Sequence, residues 1–177
     1  MGFSKITPEE FAGNPFTMID KEWMLVASAD GEGDKCGKDY NMMTASWGGV
    51  GIIWEKPVAF VFIRPQRHTF SFAERNGRMT LSFFGDGYRK ALAFCGKYSG
   101  RDYDKAAECS LTPVFDENEN GRAVWFDEAR LVIKAKKLYA QQLGEEYALS
   151  ETVTSCYPKN DYHMMYVCEI EEILVKE

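Results

Sequence analysis

The sequence predicts a mainly β domain, an antiparallel barrel-like fold with a few short helices packed outside it. Three observations point there. Short apolar or alternating runs recur along the chain between turns rich in Gly, Pro and Asp. The helical segments between them are few and brief. No G-x-G-x-x-G follows a strand and opens a helix, so a doubly wound dinucleotide fold is excluded.

The chain has 177 residues, enough for one domain with a hydrophobic core, and neither a repeat nor a linker divides it. At 45% hydrophobic and 27% charged residues the composition is that of a globular protein. Aromatic residues reach 14%, more than a core requires, which leaves some as stacking surface for a flat ligand. The formal net charge of −6 argues against non-specific nucleic-acid binding but permits a locally cationic pocket for a small phosphate.

Taken in order, "TPEEFAG" reads as a short helix capped by Thr7, with Pro8 in its first turn and Gly13 as its stop. "EWMLVASA" and "YNMMTASW" are strands joined by the exposed loop "DGEGDKCGKD". "VAFVFI", Val58 to Ile63, is a continuous apolar run between Pro57 and Pro65 and reads as a strand buried on both faces. "FSFAERNG" is a short helix that Asn76-Gly77 would end in a left-handed cap. "MTLSFF" is a strand, and "DGYRKALAFCG" a helix finishing at Gly96. "DENENGR" is a hairpin turn closing on Asn120-Gly121. After it, Leu131, Ile133 and Ala135 alternate with Arg130, Lys134 and Lys136, which predicts one wet face. "YHMMYVCEIEEILV" is the last strand region.

The N-terminal stretch has no apolar h-region, and no window approaches the ~18 apolar residues of a membrane span. Cys36, Cys95, Cys109, Cys156 and Cys168 are odd in number and contain no C-x-x-C. The expectation is free buried thiols in a reducing, cytoplasmic setting.

The segment from Asn41 to Thr69 carries the densest chemistry. On its opening strand Met42, Thr44 and Ser46 share one face, while Met43, Ala45 and Trp47 share the other. The apolar face belongs in the core; the hydroxyls either face water or donate to heteroatoms at the edge of a bound ring. Gly48-Gly49 lets the backbone turn or come close to a flat group. In "RPQRHT", Arg64 and Arg67 precede Thr69, placed where a helix N-cap belongs, and a helix start suits an anion. The alternative is a surface salt-bridge pair beside an ordinary cap. A second such segment, "GKYSGRDYDK", offers Ser99 and Asp102 in the form of a capping box, with Lys97, Arg101 and Lys105 nearby. The only histidines are His68 and His163, so no metal cluster is expected, and no nucleophile elbow is present.

"NMMTASWGG", "KPVAFVFIRPQRHT", "SGRDYDK" and "YHMMYVCEI", in this order, resemble the flavin reductase-like proteins of the FMN-binding split-barrel fold, in particular the flavoredoxin-type branch. The resemblance runs from about Trp23 to about Ile170. It implies a split antiparallel barrel, a homodimer, and one non-covalent FMN per subunit near the interface. By the same resemblance Asn41, Met43, Thr44, Ala45, Ser46 and Trp47 would line the isoalloxazine and ribityl region. Arg64, Arg67 and Thr69, joined by Lys97 and Ser99, would lie by the phosphate. Ser82 and Phe83 match the strand beside the flavin, and His163 a histidine near flavin and nicotinamide. Two positions depart from the family pattern: Cys168 stands for a usual glycine and His68 for a usual tyrosine.

The activity so implied is electron transfer from NAD(P)H through bound FMN to a flavin or a protein. The cofactor carries the chemistry and the protein supplies orientation, with His163 at most positioning the donor. Two alternatives are a flavoredoxin-like carrier reduced by a partner protein, and a barrel that has lost flavin and serves as a binding module.

Overall fold

A computed structural model describes residues 2–177. Ten strands run through it: β1 (Phe3–Ile6), β2 (Met24–Ala29), β3 (Tyr40–Ala45), β4 (Gly48–Ile53), β5 (Lys56–Ile63), β6 (Arg78–Phe83), β7 (Pro113–Asn118), β8 (Gly121–Phe126), β9 (Leu131–Gln142) and β10 (Met164–Lys176). β7 and β8 form a separate hairpin. The other eight make one sheet in the order β3-β2-β6-β9-β10-β5-β4, with β1 also on β10, and every ladder is antiparallel.

That order contains the key to the site. β3 and β4 lie at opposite ends of the path, yet only Ser46 and Trp47 separate them along the chain. The sheet therefore curls until its two ends approach, and no ladder closes them. The result is a barrel open along one seam.

Side-chain alternation fills this barrel from inside and covers it from outside. Val26, Met43, Val61, Met79, Leu81, Ile133 and Tyr166 belong to the interior cluster. Leu25, Ala27, Tyr40, Met42 and Val132 point the other way, into a second cluster with Leu92, Cys95, Val124 and Phe126. Outer cover comes from helix α3 (Arg89–Lys97) and the β7–β8 hairpin. β2 and β6 are consequently buried at every position. The remaining helices are short: α1 (Pro15–Thr17), α2 (His68–Arg75), α4 (Lys105–Glu108) and α5 (Glu151–Ser155).

Several sequence expectations are corrected. The N-terminal helix shrinks to a 3-10 turn over Pro8–Glu10, where the Glu10 carboxylate accepts from the Thr7 backbone N–H at 2.8 Å; Gly13 lies beyond its end. Asn76 is extended, at φ −107°, so α2 does not end in a left-handed cap. The Asn76 side-chain amide instead donates to the Arg122 and Arg78 carbonyls, at 2.7 and 2.9 Å. Gly96 falls inside α3, which runs on to Lys97. Gly48 and Gly49 do not turn the chain but open β4, paired with Val61 and Phe60. The turn that follows uses Trp54 and Glu55 at φ 51° and 58°, the left-handed region that glycine normally supplies.

β5 is not sealed on both faces. Phe60 and Phe62 are only half-buried, while Val61 and Ile63 are buried. Pro57 sits inside the strand, opposite Ile52 and beyond the β10 ladder. Nor is the lysine face of β9 wet throughout. Lys134 is buried, and its ammonium meets Asp116 from the β7–β8 hairpin and Glu172 from β10. Arg78 is buried in the same network, 2.7 Å from Asp116 and 2.8 Å from Glu171. The five cysteines are free, and two of them, Cys109 and Cys156, are half-buried and not buried. No helix of the described residues is long and apolar enough to cross a membrane.

Candidate functional site

The open seam is a cleft. A cavity of about 210 Å³ is walled by Met43 to Trp47 on one side and by Phe62, Arg64 and His163 on the other. Curling places them together: Phe62 is opposite Met165 in the β5–β10 ladder, so the residues just past β5 and just before β10 are neighbours. The Trp47 ring is half exposed and lies 5.3 Å from the His163 ring. Thr44 lines the cleft, and its hydroxyl donates to the Leu92 carbonyl of α3.

His163 is buried, and its Nδ1 shares a 2.9 Å hydrogen bond with the Tyr157 hydroxyl. Burial first, and the nearby Arg64 cation second, push its pKa down from 6.5 to about 4. The ring is therefore neutral at physiological pH. Arg64 is not a free cation: it pairs with Asp161, donates to the Cys156 carbonyl at 3.0 Å, and lies 5.0 Å from the centre of the Tyr157 ring.

Arg67 also lines this cleft, and behind it opens a second cavity of about 120 Å³. Thr69, Lys97, Ser99, Gly100 and Lys105 are among its walls. Thr69 is not the helix cap; α2 starts at His68 with Arg67 as N-cap. The buried Thr69 hydroxyl accepts from the Asn41 side-chain amide at 2.9 Å, which ties β3 to α2 at the cavity wall. Ser99 and Asp102 form no capping box. α4 is capped by Asp104, whose carboxylate accepts from the Ala107 N–H at 3.0 Å. Ser99 instead heads a turn and accepts from the Arg101 N–H at 3.2 Å.

Two cations dominate the second cavity. Lys105 is 1% exposed, and its ammonium donates to the Met42 and Cys95 carbonyls. Arg67 donates to the Gly96 carbonyl at 2.8 Å and the Cys95 carbonyl at 3.4 Å. Burial lowers the pKa of both. Among the described residues neither has a carboxylate partner. Lys105 is buried and Arg67 half-buried, and charge withdrawn from water is normally paired. A pocket holding two such cations with carbonyls alone suits an anion.

The structure thus brings Met43, Thr44, Ala45, Ser46, Trp47, Arg64, Arg67 and His163 to the cleft, and Asn41, Thr69, Lys97 and Ser99 to the second cavity. Ser82 and Phe83 stand apart, buried in β6 and lining neither space. Sequence reasoning missed the burial of Lys105 and the contact of Tyr157 with His163. Lys105 had no local signal, since it reaches a carbonyl 63 positions away, whereas Tyr157 lies only six positions from His163. No group of three or more His, Cys, Asp or Glu among the described residues is placed to hold a metal.

A family model described as the flavin reductase like domain matches residues 19–177. The chain belongs to the flavin reductase-like family. Solved structures share the fold. The flavoredoxin of Desulfovibrio vulgaris (Miyazaki F) superposes with a TM-score of 0.65 at 24% identity, over 88% of this chain and 69% of that one. An FMN-binding domain of a flavin reductases-like enzyme from Shewanella baltica gives 0.64 at 12% identity, over 98% and 76%. An NADH:FAD oxidoreductase of Streptomyces globisporus, solved with NAD and FAD fragments, gives 0.61 at 12%, over 88% and 74%. No curated protein matches the sequence significantly.

The two departures from the flavin reductase-like pattern have structural settings. Cys168 is fully buried in the barrel interior, opposite Ala59 and Lys137, and β10 shifts register beside it. His68 Nε2 lies 2.8 Å from the Gly37 carbonyl and pins the β2–β3 loop against α2.

Proposed function

We propose that this chain binds FMN with its ring in the cleft and its phosphate in the second cavity, and passes electrons from NAD(P)H to a flavin or protein acceptor. The observation that carries the reading is a pair of cations, buried Lys105 and half-buried Arg67, which lack a carboxylate partner among the described residues and line a cavity that opens behind a slot with an aromatic wall. A phosphate dianion supplies the missing charge. Arg67, Lys105 and exposed Lys97 neutralise it, while the Ser99 hydroxyl and nearby backbone N–H groups donate to it. Arg64 holds Asp161 and with it the wall of the cleft; it is not assigned to the phosphate.

Bound flavin would supply hydride acceptance and one- or two-electron delivery, which no side chain here provides. The protein's part is orientation. Neutral His163, steadied by Tyr157, offers a ring nitrogen to a ligand without adding charge. Trp47 and Phe62 flank it and keep that end of the cleft apolar. The exposed apolar side chains of Ile52, Trp54, Leu138 and Tyr139 form a surface suited to a second copy of the chain, with the Trp54 and Tyr139 rings 6.1 Å apart. Five unpaired cysteines suit a reducing cytoplasm.

The test is anaerobic mixing of the flavin-loaded protein with NADH and with NADPH. Rapid bleaching of the flavin band by either supports the reductase reading. Bleaching only by a reduced partner protein would assign the carrier role.

A further inference from the structure

Behind the cationic cavity lie two thiols that the proposed function leaves unused. Cys95, on α3, is fully buried, and Cys109, the C-cap of α4, is half-buried; their sulfurs are 3.8 Å apart. We propose that Cys95 and Cys109 are a reversible dithiol–disulfide site that staples the ends of the segment lining the second cavity.

The placement is the argument. Lys97, Ser99, Gly100, Arg101 and Lys105, all walls of that cavity, lie between the two cysteines in sequence. At one end of the segment the Cys95 carbonyl accepts from both Arg67 and Lys105. Its middle, from Arg101 to Asp104, is exposed and held by turn bonds to the Ser99 carbonyl. A bond between the sulfurs would close this segment into a short covalent loop and reduce the conformations open to it. The two sulfurs are already in contact, so side-chain rotation and a small approach of α4 bring them to the bonding distance of about 2 Å.

The two thiols are also unequal, as such a site needs. Burial raises the thiol pKa of both and the nearby Lys105 cation lowers it for both, so what separates the two is exposure. Cys109 is the more exposed residue of the two. With hydrogen peroxide as oxidant, Cys109 attacks one peroxide oxygen, forming a sulfenic acid and releasing water. The Cys95 sulfur then attacks Cys109, the S–S bond forms, and a second water leaves. Two thiols are oxidised, one peroxide is reduced to two waters, and a small-molecule thiol reverses the step.

The inference does not depend on flavin, and the experiment keeps the two separate. The full chain, with and without FMN, is exposed to a modest excess of hydrogen peroxide, denatured, alkylated and mapped by mass spectrometry. The expected result in both samples is loss of two of the five thiols, a linked peptide joining Cys95 to Cys109, and recovery by dithiothreitol. Cys109→Ser should abolish the link, and Cys36→Ser should leave it unchanged. Brief trypsin treatment at Lys97 or Arg101 should nick the oxidised protein several-fold more slowly than the reduced one. Once nicked, its fragments should stay joined on a non-reducing gel. Full alkylation of both cysteines after peroxide, over-oxidation of Cys109 with Cys95 still free, or a link through Cys36 would each overturn the proposal.

Discussion

Arg67 and Lys105 converge on one acceptor. Arg67 Nη2 and Lys105 Nζ each lie 3.4 Å from the Cys95 carbonyl oxygen, in the last turn of α3. The negative end of a helix takes the place where a carboxylate would be expected. Carbonyl dipoles hold two cations less well than a full charge does, so an incoming phosphate gains most of its attraction from groups already in position.

Arg67→Ala should therefore weaken FMN binding much more than it weakens the fold. Loss of a charge-assisted bond of about 1.5–3 kcal/mol corresponds to roughly 10- to 150-fold in Kd. Apoprotein stability should fall by less, because the Cys95 carbonyl that Arg67 leaves keeps Lys105 as a donor. Fluorescence titration and thermal melts of the same samples check both parts.

Gly100→Ala attacks the cavity through sterics. A Cβ there would come within 2.2 Å of Asn41 Oδ1, and the Asn41 amide is what holds Thr69. The expected outcome is at least a ten-fold weaker Kd for FMN (about 1.4 kcal/mol) from a protein that still folds. Gly85→Ala, where an added Cβ meets nothing within 4 Å, is the control and should bind FMN normally.

His163 gives a pH signature. Its pKa is about 4 in the folded chain, against 6.5 for the free side chain. Between those values the unfolded chain takes up a proton that the folded chain refuses. Stability contributed by neutral His163 is thus complete above about pH 6.5 and is lost as pH falls towards 4. Urea unfolding at pH 7 and pH 5 should differ by up to about 2 kcal/mol more in the wild type than in His163→Asn. Equal differences in the two proteins would show that His163 titrates normally.

The charge network beneath the β7–β8 hairpin is a matter of stability alone. Arg78→Met removes the cation between Asp116 and Glu171 and leaves Lys134 to serve the cluster by itself. Breaking one partner from a buried pair costs about 3–5 kcal/mol. Chemical denaturation should show a loss of that order. FMN affinity, measured well below the new unfolding midpoint, should not change.

What the sequence revealed, and what it concealed, divides by range. β2, β3, β5 and β6 were legible because their apolar runs are local, as were the clustering of chemistry between Asn41 and Thr69 and the β7–β8 hairpin, although its turn residues are Glu119 and Asn120 and Gly121 opens β8. β4 was hidden because three of its six residues are glycine and its turn uses Trp54 and Glu55 in place of Asn-Gly. Lys134 looked exposed because nothing nearby reveals that a hairpin covers its face. Arg64 looked free because its partner, Asp161, lies 97 positions away. The caps went wrong in the same sense each time: Thr69 and Ser99 are hydroxyl residues at the right spacing, but tertiary contacts moved the helix starts to His68 and Lys105.

Buried Lys105 and half-buried Arg67, both without a carboxylate partner among the described residues, are what would make this barrel a holder of a phosphorylated flavin. The most direct measurement is equilibrium titration of flavin-free protein with FMN and, in parallel, with riboflavin, which lacks the phosphate. FMN should bind saturably at one per chain, riboflavin should bind at least ten-fold more weakly (about 1.4 kcal/mol), and that preference should be lost in Arg67→Ala. Equal affinity for FMN and riboflavin, or no binding of either, would contradict it.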